Sequence, residues 1–105
     1  MQNSRSSEAK APYSDELNDV VDLPTMTTGA LNALGQDEDG FSIMIEGGAI
    51  DWAGHGNNPV RDIEETQDFN KSVDAAIKWV EENSSWEDTL PVSYTHLTLP
   101  TTPYV

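Results

Sequence analysis

Apolar positions repeat at helical spacing in two stretches of the chain. Met26, Ala30, Leu31 and Leu34 follow Pro24-Thr25 on one face of a helix, and proline suits the first turn because its missing N–H has no partner there. Gly35 stands where a left-handed C-cap belongs, and Gln36-Asp-Glu-Asp-Gly40 reads as an acidic turn. The second helix is predicted from Pro59 to about Asn83, with Val60, Ile63, Phe69, Val73, Ala76, Ile77 and Val80 on one side. Asn57 or Asn58 is its candidate N-cap, and Asp68-Phe69-Asn70 is a candidate break. Asp62, Glu64 and Glu65 fall near the positive end of its dipole.

Between the helices the period changes. Phe41-Ser-Ile-Met-Ile45 is a short apolar run bounded by Gly40 and Gly47, which favours a buried strand. Trp86-Glu-Asp-Thr-Leu90 leads towards another. Helix, strand, loop, helix and strand in this order predict part of an α/β sheet whose helices cover a buried strand. Met26 and Met44 are expected in the core, Trp79 and Trp86 as packing or boundary aromatics, and Arg61 at the surface.

Composition narrows the function. Of 105 residues, 19 are Asp or Glu and 5 are Lys or Arg, for a net charge of −14. So acidic a chain repels phosphate backbones and anionic lipid, so neither nucleic acid nor a membrane surface is an expected partner. No apolar run approaches the roughly 20 residues of a membrane span. No signal peptide is visible at the start. Cysteine is absent, which excludes disulfides and thiolate metal sites. Mean hydropathy is −0.54, so the core is expected to be thin.

The candidate chemistry lies in Glu46-Gly-Gly-Ala-Ile-Asp-Trp-Ala-Gly-His-Gly-Asn-Asn58, where two carboxylates and an imidazole sit among glycines. Asp51 and His55 are four apart and would share one face of a helical turn, close enough for one cation. Glu46 would close a strand at its C-terminal end, the side on which open α/β sheets bind ligands. Carboxylate with imidazole suits zinc, and carboxylate with water suits magnesium. The bland reading keeps a solvated Asp, a surface His and a Glu that ends a turn. Asp37-Glu-Asp39 lacks the ligand spacing of a calcium loop and reads as a solvated turn.

Met44-Ile-Glu-Gly-Gly-Ala-Ile-Asp-Trp-Ala-Gly-His-Gly-Asn-Asn58 resembles the metal-binding segment of the bacterial alkaline phosphatase family. That segment is an apolar strand ending in Glu-Gly, two variable residues, Ile-Asp, three more residues and His. Thr25–Leu34 resembles the preceding helix, Glu64–Ile77 the following one, and Asp88-Thr-Leu90 the start of the next strand. The resemblance runs over residues 23–90. It implies a partial alkaline-phosphatase-like α/β/α sandwich and a metal-dependent phosphomonoesterase. It further implies magnesium at Glu46, a zinc shared by Asp51 and His55, and a phosphate-facing Trp52, where other members have Lys or His. The parent would act on phosphate monoesters in the periplasm or outside the cell, and a homodimer is compatible with the family.

Some family features find no counterpart. No Ser follows Asp as the nucleophile does; Ser14 precedes Asp15 and Ser72 lies in a helix. The phosphate-gripping Arg and the Thr-Ala-Asp-His run of a second zinc site are also without a match. The expectation is an internal fragment, inactive alone. Residues 1–22 read as an irregular N-terminal segment. Residues 91–105 carry no charge and resemble a translated sequencing adapter, which makes His96 an accident rather than a ligand. Two rivals stand beside this reading: a complete acidic interaction module without chemistry, and a sulfatase or phosphodiesterase relative.

Overall fold

The computed structural model describes residues 11–95. Three helices carry the architecture: α1 (Leu23–Leu34), α2 (Gly48–His55) and α3 (Pro59–Asn83). Both α1 and α2 pack on α3, which is the spine.

Helices α1 and α3 start at side-chain caps, whereas α2 starts at Gly47 without one. The N-cap of α1 is Asp22, whose Oδ1 accepts the Thr25 N–H at 2.9 Å, with Pro24 in the first turn. The Thr25 hydroxyl and then its N–H hold the Asp22 carboxyl below its ordinary value of 3.8. Asn58 caps α3 by accepting the Arg61 N–H at 3.2 Å, with Pro59 behind it. The helix runs unbroken through Asp68-Phe69-Asn70, because those residues lack a proline or glycine to interrupt the ladder.

Several expectations need correction. Gly35 ends α1 in right-handed geometry (φ −66°) rather than left-handed, and its N–H still reaches the Leu31 carbonyl at 2.8 Å. No strand is present among the described residues, and no backbone hydrogen bond between them involves 41–46. A strand exists by pairing, and the described chain offers 41–46 no partner. The expected alternation therefore survives only in its two helices, and the segment expected as a loop between strand and second helix forms a third, Gly48–His55. Met44 is 80% exposed and Met26 is exposed too, so neither is core. Phe41 has found a local partner: its ring meets Trp79 edge-to-face at 5.9 Å. Trp79 also donates to Asn32 Oδ1 at 2.9 Å, tying α3 to α1. Trp86 remains half exposed.

The interior is small and unusually polar. Only Leu31, Ala49, Ala53 and Val80 are buried apolar residues among those described. Thr27, Arg61, Glu64, Glu65 and Ser72 are buried beside them. The inward face of α3 is thus 61, 64, 65, 72 and 80, and Ile63 and Ile77 of the predicted stripe face solvent. Arg61 is fully buried, against the expectation of a surface residue. Its two terminal nitrogens reach both Glu64 oxygens at 3.0 Å and Asp15 Oδ2 at 2.6 Å. Burial pulls the guanidinium pKa down, and the bonds to Asp15 and Glu64 outweigh that and hold it above its usual value. An arginine goes inside when its fork meets carboxylates, and a period-3.6 hydrophobic pattern cannot register that pairing.

Candidate metal-ligand site on α2

Helix α2 is eight residues long and lies against α3 through Ala49 and Ala53. Those small side chains let the two backbones approach, and they turn the opposite face of α2 outward. Asp51 and His55 stand on that outward face, one turn apart. Asp51 Oδ2 and His55 Nε2 are 3.4 Å apart, with side chains 74% and 81% exposed. Asp51 sits in the first turn and His55 in the last, the ends at which the helix dipole favours an anion and a cation.

Glu46 precedes the Gly47 N-cap of α2. A Cβ at Gly47 would lie 2.8 Å from the Phe69 ring, so glycine is what lets this loop press onto α3. The Ile50 N–H returns to the Gly47 carbonyl at 3.2 Å and closes the turn. An open cleft of about 370 Å³ runs past this loop. Glu46, Asp51, Trp52, Glu65 and Asp68 contribute to its walls, with Leu23 and Met26 of α1 opposite. Trp52 is 62% exposed.

The structure therefore brings Asp51 and His55 together, and places Glu46 and Trp52 on one cleft with Asp51. His55 points from the same face of α2 without lining that cleft. No group of three or more His, Asp or Glu poised around a metal occurs among the described residues. An oxygen and a nitrogen donor at 3.4 Å fit half of a tetrahedral zinc shell. Glu46 offers one oxygen of the kind magnesium takes. Each donor set fits its ion chemically and is a part of the full shell.

Glu65 and Asp68 are cleft residues that sequence reasoning assigned to the helix dipole or a helix break. Glu65 is buried, at 4% exposure. Their signal was spacing: 61, 64–65, 68 and 72 repeat every three to four positions, the same period that marks an apolar stripe. His96 lies outside the described residues. No helix among those described is long and apolar enough to cross a membrane.

Comparison with known proteins gives one consistent answer. A family model described as alkaline phosphatase matches residues 10–98. Alkaline phosphatase 3 of Bacillus subtilis is 41% identical over 69 residues, covering 66% of this chain and 15% of that protein. The alkaline phosphatase of Escherichia coli is 31% identical over 74 residues, covering 70% of this chain and 16% of that protein. That of Schizosaccharomyces pombe is 39% identical over 54 residues, or 50% and 10%. The chain thus spans roughly a seventh of the length of these relatives. No solved structure matches it.

Proposed function

The chain belongs to the alkaline phosphatase family, and from that premise we propose that it supplies part of the metal site of a phosphate monoester hydrolase. The observation that carries the reading is the Asp51–His55 pair, 3.4 Å apart on the outward face of α2, with Glu46 on the preceding loop. Asp51 and His55 would hold a catalytic zinc, and Glu46 a magnesium. Such ions supply Lewis-acid stabilisation of a leaving oxygen and a water acidic enough to attack near neutral pH. The chain's own residues do the positioning. Ala49 and Ala53 seat α2 on α3, Gly47 fixes the loop beside Glu46, and Trp52 borders the space a phosphate ester would enter. The compartment proposed for the parent is the periplasm or the cell exterior.

Turnover by this chain alone is not part of the proposal. Neither a serine nucleophile in the family's Asp-Ser context nor the partners of a second zinc stand in its sequence. Two measurements test the reading. Zinc added to ¹⁵N-labelled protein should shift the resonances of Asp51 and His55 first, and His55→Ala should abolish that shift. The purified chain with zinc and magnesium should show no hydrolysis of a chromogenic phosphate monoester. Zinc shifts spread evenly over the acidic surface would sink the ligand assignment. Hydrolysis that follows the chain through purification would sink the claim that it is inactive alone.

A further inference from the structure

Arg61 stands six residues after His55 and touches three separate parts of the molecule. Its backbone N–H donates to Asn58 Oδ1 at 3.2 Å. The Asn58 N–H in turn donates to the Ala53 carbonyl of α2 at 2.9 Å, and the Asn58 carbonyl accepts the Asp62 N–H at 3.0 Å. Asn58 is therefore a joint, bonded to α2 on one side and α3 on the other. Asn57 beside it takes a left-handed conformation at φ 49°, a bend that this bonding stabilises. The Gly56 and Asn57 N–H groups complete the turn through the Trp52 and Gly54 carbonyls, both at 3.0 Å.

The guanidinium of Arg61 reaches in another direction. It is fully buried, grips both oxygens of Glu64, and holds Asp15 at 2.6 Å across 46 positions of sequence. The Tyr13 N–H donates to Glu64 Oε1 at 2.6 Å. Tyr13 itself sits at φ 60°, a left-handed conformation that residues with a Cβ adopt only at a cost. The segment around 13–15 is thus strapped over the first turns of α3 by two carboxylates and one buried cation. A strained residue at the strap is compatible with bonds strong enough to hold it there.

We infer that Arg61 is a positioning residue for the Asp51–His55 pair: strapped by Asp15 and Glu64, it clamps the α2–α3 joint at Asn58 and so fixes how the outward face of α2 is presented. The inference deepens the metal-site reading and rests on it for its functional meaning. The geometry gives the coupling a short path. From the guanidinium to the Ala53 carbonyl there are the Arg61 backbone and Asn58, and Ala53 lies midway between Asp51 and His55. The N–H at position 61 would reach Asn58 from almost any residue, whereas the bonds to Asp15 and Glu64 need the guanidinium, and these hold the first turn of α3 that carries the joint.

The test uses the whole chain and two kinds of readout. Arg61→Lys keeps the charge and loses the fork, but a fault in the buried pair can cost the fold. Asp15→Ala acts at the half-exposed end of the strap and leaves the buried Arg61–Glu64 pair in place. With Asp15→Ala, far-UV circular dichroism should stay at the parent level. Amide exchange at Gly56, Asn57, Asn58 and Arg61 should quicken about 3–10-fold, the change expected from losing one charge-assisted bond at a partly exposed site. Exchange in the middle of α3 should not move. The zinc dissociation constant read at His55 should rise by a similar factor, and Asp15→Glu should restore both. Unchanged exchange at 56–58 in Asp15→Ala overturns the inference, and so does a uniform rise over all three helices, which would mark a purely structural role. If the parent chain shows no zinc shift at His55, the metal reading fails by itself, and the exchange measurement still decides for or against the clamp.

Discussion

Replacing Arg61 with Ala should nearly unfold this protein, although the residue is charged and looks like surface in the sequence. The guanidinium has no exposed surface, and its partner Glu64 has none either. Arg61→Ala takes away the guanidinium that meets both oxygens of the buried Glu64 carboxylate, to which the Tyr13 N–H also donates. Removing one member of a buried pair costs about 3–5 kcal/mol, because the remaining charge has lost its solvent and its partner. Domains of this size are stable by only about 5–15 kcal/mol, and four buried apolar side chains argue for the low end. The loss corresponds to a drop of more than about 12 °C in Tm at 4–8 °C per kcal/mol. Circular dichroism at 222 nm through a thermal melt reads it directly. A second variant separates charge from packing. Arg61→Ala with Glu64→Gln removes the stranded charge and keeps an acceptor for Tyr13, so it should recover at least half of the lost stability. A single variant that melts within about 1 °C of the parent would refute the buried-pair reasoning. So would a double variant no better than the single.

Asp22→Ala removes the α1 cap and should cost about 0.5–1 kcal/mol near pH 7, the low end of the N-cap range because the site is partly exposed. The folded Asp22 carboxyl is depressed, so its contribution is present above the ordinary value of 3.8 and fades as pH falls through the folded value. Melts of the two proteins should therefore differ at pH 6 and draw together as pH falls below the folded value; a constant gap would contradict the carboxylate's role. Gly35→Ala would usually favour a helix end in right-handed geometry, yet its Cβ would come within 2.4 Å of the Trp79 ring. We expect a displaced indole, a lost Asn32 bond and a red-shifted Trp79 emission in a background with Trp52 and Trp86 replaced by Phe; an unchanged spectrum argues against that contact. Ala53→Leu puts a large side chain where none is exposed and should cost about 1–3 kcal/mol by chemical denaturation, whereas a neutral result would mean that α2 is not seated on α3 as described.

The sequence carried the helices further than the interior. Pro24, Pro59 and Asn58 mark helix starts through local chemistry, which needs no knowledge of the fold. The Asp51–His55 pair was legible for the same reason, since four residues on a helix fix a distance. What stayed hidden was tertiary. Arg61 is buried because Asp15, far away in the chain, meets it, and no local pattern announces that meeting. The exposure of Ile63 and Ile77 follows from the same event, because seating Arg61 and Glu64 inward turns those positions out. The strand at 41–45 failed for a different cause. Its apolar run states a propensity, whereas a strand is a property of two segments, and the described chain provides one. Met44 at 80% exposure is the direct consequence.

The net charge of −14 can now be connected to stability. The acids fall into two populations. Glu64 is enclosed with its cation, and Asp15 reaches the same cation from a partly exposed position. Most others are exposed, and a surface pair such as Lys78–Glu82, at 3.7 Å with both side chains largely in solvent, offsets little of their mutual repulsion. Salt acts on these populations unequally. The screening length shrinks from about 30 Å at 0.01 M to about 3 Å at 1 M, which weakens interactions between exposed charges and leaves the enclosed pair nearly untouched. Compact states of strongly charged chains are destabilised by self-repulsion. Raising sodium chloride from 0.01 to 0.5 M should therefore raise Tm in the parent chain. In a protein held mainly by surface ion pairs the same change would lower it. The Arg61→Ala, Glu64→Gln double variant should gain from salt about as much as the parent, because neither altered group is exposed. A parent whose Tm falls with salt would show that solvent-facing pairs, rather than the buried clamp, hold α3 in place.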